Sequence, residues 1–441
     1  MRVQEESSRL VKPILKPGLP KTTIPTQMTL NVFDLITDDA HIPIIYVYRP
    51  PTPSNAAIEL GLGQALTDYR ELAGRFSTDE NGQRVILLND KGLKFVEASA
   101  DCTLDEAELL NPSKALLSLH PCLDSPKELV QVQFTRFTCG SLAVAISCNH
   151  MVADGFSMSR FLIAWSQACC GSFDGNPGRT FLDRAIFKPR DPPRFQFEHK
   201  GVEFKDKNED CTSDETLEEG LGMYKSHFSL EMLSQIKTNA TLELAHNVKP
   251  YSMFVCLVAH VWRTVVKACV AAGDGDRYKA TCLKISVDGR RRMSPPVPDD
   301  FVGNVVLWAY PRAGMNEILS EPVSYAAKII QEAIAKLKDD YFKSYIDFAS
   351  YKFDENELVP VVDFSDSDVC LNLYIDSWLG FPYRDMDFGG GMPCMFMPSY
   401  RIWPGQVFLL PSQTVDKSID VMVTLSENQL SSYKERWFSL E

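Results

Sequence analysis

The stretch AISCNHMVADGFSMSRFLIAW, residues 145–165, decides how the rest of the chain is read. An apolar run leads to His150, three residues pass, Asp154 and Gly155 follow, and an amphipathic segment begins. Asp and Gly tolerate the backbone angles of a turn or a helix entry. The stretch therefore reads as a strand handing over to a helix that runs from about Ser157 to Ala168. At such a handover the backbone of His150 is held by a sheet while its side chain is able to face a cleft. The ordinary reading of the pair is a core histidine and a helix-capping aspartate. The chemical reading is a general base with a partner. The spacing does not choose between them.

Working outward, the first part of the chain alternates strand and helix character. IPIIYVYR (42–49) is β-branched and aromatic, and AAIELGLGQALTDYREL (56–72) has helical spacing. LVQVQFTRFTCGSLAVAISCNH (129–150) reads as two strands joined at Cys139-Gly140. From Gly171 to Glu219 the chain turns polar and Pro-rich, with the acidic stretch DKNEDCTSDETLEEG, and reads as a crossover. Beyond it α/β character returns. Helices are expected over 228–240 and 252–273, a strand over 280–289, one long helical pattern over 324–352, and late strands in GQVFLLPS and SIDVMVTLS. The expected division is a domain of residues 1–175, a crossover of 176–222 and a second domain of 223–441.

The length of 441 residues exceeds one ordinary core and suits two or three domains. Against 45 Lys and Arg stand 58 Asp and Glu, a formal charge of −13, which argues against a nucleic-acid partner because phosphate binding needs a positive surface. Twelve cysteines show no CxxC pair or regular framework. With no signal peptide and no uninterrupted apolar run near the roughly 20 residues of a membrane span, a soluble cytoplasmic protein is expected.

Three further features of the sequence bear on chemistry. RDMDFGGGMPC (384–394) carries three consecutive glycines, a loop whose backbone either turns tightly or approaches something closely. It lacks the Gly-Lys-Ser/Thr ending of a phosphate-cradling loop. SVDGRRRMSPPVPDDFVGN (286–304) holds three arginines, which suit a phosphate or carboxylate, or a solvated loop with one member buried in an ion pair. The seven histidines show no metal-ligand spacing, and no Gly-x-Ser-x-Gly elbow is present.

Taken in order, HMVADG at 150, VDGRRRM and GN, and DFGGG at 387 resemble the BAHD superfamily of plant acyl-CoA-dependent acyltransferases, whose signatures are HxxxD with a following glycine and DFGWG. The resemblance covers nearly the whole chain, including VKP near the start and SMFVCLVAHVWR (252–263). It implies an α/β fold of two chloramphenicol-acetyltransferase-like domains, each a mixed sheet flanked by helices, with a solvent channel between them. It implies His150 as general base, Asp154 as a structural residue fixing the loop through Arg290, and Asp387 with Gly389 as architecture. Two departures are visible: Asn149 stands where many members have a first His, and Gly390 replaces the DFGWG tryptophan.

DFGGG, IDSWLGFPYR, FMPSY and GNVVLWAYPR look most like the branch that acylates agmatine, putrescine and tryptamine with hydroxycinnamoyl groups. On that likeness the co-substrate is acyl-CoA, no cofactor is bound, and Ser252 helps to hold CoA. The acceptor pocket is read from LNLYIDSWLGF (371–381), with Tyr374, Asp376, Ser377 and Trp378 as its residues. A carboxylate at 376 suits an amine through a charge-assisted hydrogen bond. Tyr374 lies on the same strand face by period two. The expected partners are an acyl-CoA and a small amine, for a monomer. The rival readings are an O-acyltransferase with the same base, or a silent binding protein of the same fold.

Overall fold

The computed structural model describes residues 1–14, 26–109, 112–173, 183–206, 220–244, 249–352, 358–361, 370–399, 402–414 and 416–440. Of the expected crossover of 176–222, residues 176–182 and 207–219 lie outside them. The fold is built on two mixed sheets. The first has the order Val3–Val11, Leu93–Ala100, Val130–Arg136, Leu142–Asn149, His41–Tyr48 and Met395–Pro398. The second has the order Leu221–Phe228, Ile419–Ser426, Gln406–Pro411, Cys370–Ser377, Ala280–Asp288 and Val306–Ala309. In it, Gln406–Pro411, Cys370–Ser377 and Ala280–Asp288 run parallel.

The strand Leu142–Asn149 is buried along its whole length and paired on both sides, as its unbroken apolar run requires. The helix Gly155–Cys169 follows, and its buried Met158, Phe161, Leu162 and Trp165 recur at i, i+3, i+4 and i+7. Each fully buried side chain of this size contributes about 1.5–3 kcal/mol, and Trp165 also donates through Nε1 to the Ile58 carbonyl at 2.9 Å. That burial fixes the strand-to-helix turn, and with it the backbone of His150.

A linear cut does not describe the molecule. Met395–Pro398, expected in the second domain, pairs antiparallel with His41–Tyr48 of the first sheet. Trp378, Tyr383, Met386 and Phe388 enter the first core with it, while Phe33 and Ile36 of the first half pack into the second core. Segments of each half thus seal the other.

The long pattern over 324–352 is two helices, Val323–Lys336 and Asp339–Lys352. The break is capped by Arg292, whose Nη1 donates to the Ile334 carbonyl at 3.2 Å and the Leu337 carbonyl at 2.8 Å. Those are orphan acceptors of a helix end, and Asp339 opens the next helix while accepting the Ser294 N–H at 2.7 Å. The helix Met253–Ala271 is long and apolar enough by composition to cross a membrane, yet 72% of its apolar window is buried inside the molecule. It is the central helix of the second core.

Candidate active site

Asp154 caps the helix Gly155–Cys169, its Oδ1 accepting the Ser157 N–H at 3.0 Å. Arg290 grips the same carboxylate with two nitrogens, Nη1 to Oδ2 at 2.7 Å and Nη2 to Oδ1 at 3.0 Å. The Val305 N–H adds a fourth donor, to Oδ2 at 3.1 Å. Both side chains are buried, Asp154 3% and Arg290 1% exposed. A carboxylate with four donors on two oxygens has nothing left for a substrate. Asp154 joins the two halves of the chain through this ion pair.

The clamp extends to the residues that follow Arg290. Arg290 Nη2 also donates to Ser157 Oγ and to the Gly303 carbonyl, each at 3.0 Å. Ser157 Oγ in turn accepts the Gly303 N–H at 3.2 Å. Gly155 must be glycine for a different reason: a Cβ there would lie 2.1 Å from the Phe381 ring. The three arginines thus divide their labour, Arg290 in the buried ion pair, Arg292 on a helix end, and Arg291 exposed beside Asp299 at 3.5 Å.

His150 is half-buried. Its N–H donates to the Ala40 carbonyl at 2.9 Å, which continues the pairing of the two strands beyond Asn149. Its ring Nδ1 lies 3.2 Å from Asn304 Oδ1, and Asn304 Nδ2 donates back to the His150 carbonyl at 2.8 Å. Asn304 is itself fixed by Asp34, whose Oδ1 accepts its backbone N–H at 2.7 Å and its Nδ2 at 2.9 Å. Asp34 is fully buried, and burial pushes its carboxyl pKa up against the pull of Arg184 and of donors from Asn31 and Asn304.

Sequence reasoning missed Asp34 and gave Asn304 no role, because partners 270 residues apart leave no periodic signal. The only available sign was GN ending the stretch that begins with VDGR. Asn149, at the position of the usual first histidine, donates to Asp39 Oδ1 at 2.7 Å and accepts the Met151 N–H at 3.0 Å. It braces the turn.

The glycine loop lies elsewhere. Asp387 Oδ1 accepts the N–H groups of Gly389, Gly390 and Gly391 at 2.7, 3.0 and 2.8 Å. Gly389 and Gly391 both have φ of +103°, and a Cβ on Gly390 would lie 2.2 Å from the Pro51 carbonyl oxygen. A tryptophan does not fit at 390 on this backbone, which accounts for the DFGGG departure. The Asp387 carbonyl accepts Ser166 Oγ at 2.7 Å. Ser166 is twelve residues past Asp154 on one helix, so the loop sits roughly 18 Å along the axis from the His150 turn.

On the strand Cys370–Ser377, Tyr374 and Asp376 are half-buried and share a face. Asp376 Oδ1 accepts Ser286 Oγ at 2.6 Å from the neighbouring strand. Lys284, two residues before Ser286, holds its Nζ 4.4 Å over the Trp308 ring and 5.9 Å from Tyr374, a cation that sequence reasoning did not place there. Ser377 is exposed at the strand end. Trp378 is not beside them: it is 7% exposed and packs against Phe381, Phe396 and Phe408, with centroids 5.7, 5.4 and 5.1 Å away. Ser252 is exposed and caps the helix Met253–Ala271, accepting the Val255 N–H at 3.2 Å. Among the described residues no group of three or more His, Cys, Asp or Glu is arranged to hold a metal.

Comparison with known proteins agrees with this architecture. A structure of vinorine synthase superposes with a TM-score of 0.72 at 20% identity, covering 98% of this chain and 96% of that one, which gives the fold of two chloramphenicol-acetyltransferase-like domains. Agmatine coumaroyltransferase-1 of Hordeum vulgare is 43% identical over 454 residues, all of both chains. Putrescine hydroxycinnamoyltransferase of Oryza sativa subsp. japonica is 38% identical over 462 residues, again all of both. The model of the transferase family matches residues 2–440, and the chain belongs to that family as a BAHD acyltransferase.

Proposed function

We propose that the chain transfers a hydroxycinnamoyl group from its CoA thioester to the nitrogen of a small amine, with His150 as the general base. The carrying observation is the contrast in commitment: both oxygens of Asp154 are filled by four donors, whereas the His150 ring is half-exposed and fixed by one contact to Asn304. The relatives named for agmatine and putrescine support an amine as acceptor.

The amine nitrogen attacks the thioester carbonyl. C–N bond formation makes that nitrogen acidic, and the imidazole, with a reference pKa near 6.5, accepts its proton. The tetrahedral intermediate collapses by breaking the C–S bond. A thiol reference pKa of about 8.5 makes the CoA thiolate a competent leaving group, and the imidazolium returns a proton to it. No covalent acyl-enzyme is formed. Asp376 and Tyr374 face the acceptor, with Ser377 at the rim; Trp378 supports that wall from the core, and Ser252 at a helix start suits the CoA side. The protein acts as a monomer in the cytosol.

Coumaroyl-CoA offered with agmatine, putrescine, tryptamine, tyramine, shikimate and quinate tests the reading. CoA release and amide formation with an amine are expected, by sequential kinetics. Ester formation with shikimate or quinate alone would replace this reading with O-acyl transfer. No release with any acceptor would favour a silent protein of the same fold.

A further inference from the structure

We infer that Gln406 and Thr424 form a seat for the second end of the acceptor, a cationic group that carries only donors, such as the guanidinium of agmatine. The inference deepens the amine-transfer reading and rests on it. It begins from the face of the second sheet on which each residue stands. Along Gln406–Pro411, Val407 and Leu409 belong to the second core, whereas Phe408 and Leu410 belong to the first. Side chains alternate along a strand, so Gln406 looks toward the first half of the chain with Phe408. By the same period Thr424 shares the face of Met422, which enters the first core, and Tyr374 points away from Leu373 and Ile375 of the second. Register completes the row. Tyr374 pairs with Lys284 on one side and Gln406 on the other, and Val407 pairs with Val423, which sets Thr424 beside Gln406. Lys284, Tyr374, Gln406 and Thr424 thus stand in line on four neighbouring strands.

The two ends of that row differ. At one end the Lys284 ammonium lies over the Trp308 ring. Two strands away, roughly 10 Å, Gln406 is 4% and Thr424 0% exposed, and among the described residues Gln406 Oε1 and Thr424 Oγ1 have no hydrogen-bond partner. A buried polar atom costs stability unless something supplies its bond. Two such oxygens on adjacent strands suit a group with several hydrogens and no lone pair, and a guanidinium offers five N–H donors in one plane. Turning the Gln406 amide over would set its own hydrogens against that group, so a ligand with donors alone selects Oε1. Gly405 holds the site in place: its N–H donates to the Thr424 carbonyl at 2.9 Å and its carbonyl accepts the Tyr374 N–H at 2.8 Å. Its φ is +77°, and a Cβ there would lie 2.1 Å from the Asn372 carbonyl oxygen. Asp376, two residues on from Tyr374, offsets the arriving charge, and Lys284 repels a cationic tail toward the oxygens.

Calorimetric titration of agmatine and of butylamine, which has the same chain and no guanidinium, into protein holding saturating CoA tests this. Wild-type protein is expected to bind agmatine at least about 10-fold more tightly than butylamine. Gln406→Leu is expected to remove most of that difference by weakening agmatine alone. Thr424→Val, which keeps shape and loses only the hydroxyl, is expected to weaken agmatine by about three- to tenfold. Both variants are checked for folding by circular dichroism, and the near-isosteric Thr424→Val keeps the test open should Gln406→Leu not fold. Equal affinity of wild-type protein for the two amines would overturn the inference even if the amide is formed, as would unchanged agmatine affinity in the folded variants or an equal loss for butylamine. Agmatine binding that depends on Gln406, in a protein that releases no CoA from coumaroyl-CoA, would keep the seat and remove the transferase reading.

Discussion

At the N-terminal end of the helix Gly155–Cys169, Asp154 is bound by an arginine from residue 290; beyond the helix's last turns, Asp387 is bound by its own loop. The first aspartate joins two halves of the chain across 136 residues, is 3% exposed, and depends on a side-chain cation. The second is half-buried, and its three donors are main-chain N–H groups within four residues. The two carboxylates hold different things. One fixes the turn that carries His150, and the other shapes a loop roughly 18 Å away. An aspartate in a signature thus tells little about chemistry until its partners are counted.

The comparison is most easily broken at the clamp. Asp154→Ala leaves Arg290 buried without its main partner, and stability is expected to fall by about 3–5 kcal/mol, read by urea unfolding. Its loss should exceed that of Asp387→Ala, expected at about 1.5–3 kcal/mol because three charge-assisted bonds go but the site is half open to water. Equal losses would mean that the two ends are not distinct in kind.

A carboxylate with neither arrangement calibrates both. Glu71 is fully buried, its oxygens have no hydrogen-bond partner among the described residues, and burial pushes its pKa up to about 7. Its folded pKa lies above the unfolded value, so its contribution is fully present below pH 4.5 and is lost as pH rises through 7. Glu71→Gln is therefore expected to gain stability at pH 8 relative to pH 5, by up to about 3 kcal/mol. No pH dependence in that difference would count against the buried-acid reading.

The smallest expected effect concerns the acceptor. Asp376→Asn is expected to raise the KM of agmatine by about three- to tenfold, under 1.4 kcal/mol, and to leave the acyl-CoA KM unchanged. The effect is modest because Ser286 already bonds Asp376 and Lys284 stands on the neighbouring strand. Equal effects on both KM values would remove Asp376 from the acceptor wall.

The sequence made the local events legible. The handover at His150, the cap at Asp154 and the strands on either side follow from side-chain period and turn chemistry, which act over a few residues. The Arg290 partnership was reached through a family likeness, since nothing near Asp154 announces it. What stayed hidden was non-local: Asp34 beneath Asn304, the exchange of Met395–Pro398 into the first sheet, and the burial of Trp378, which looked like a pocket residue. The break at Leu337 was hidden too, because Arg292, which caps it, lies 45 residues away.

The most direct measurement is turnover of coumaroyl-CoA with agmatine by His150→Ala, in protein whose unfolding midpoint matches the wild type. Turnover is expected to fall by about 10²- to 10⁴-fold with folding intact, because the ring is fixed by Asn304 and carries no packing burden comparable to the Asp154 clamp. Near-normal turnover by the folded variant would contradict the assignment of His150 as the base.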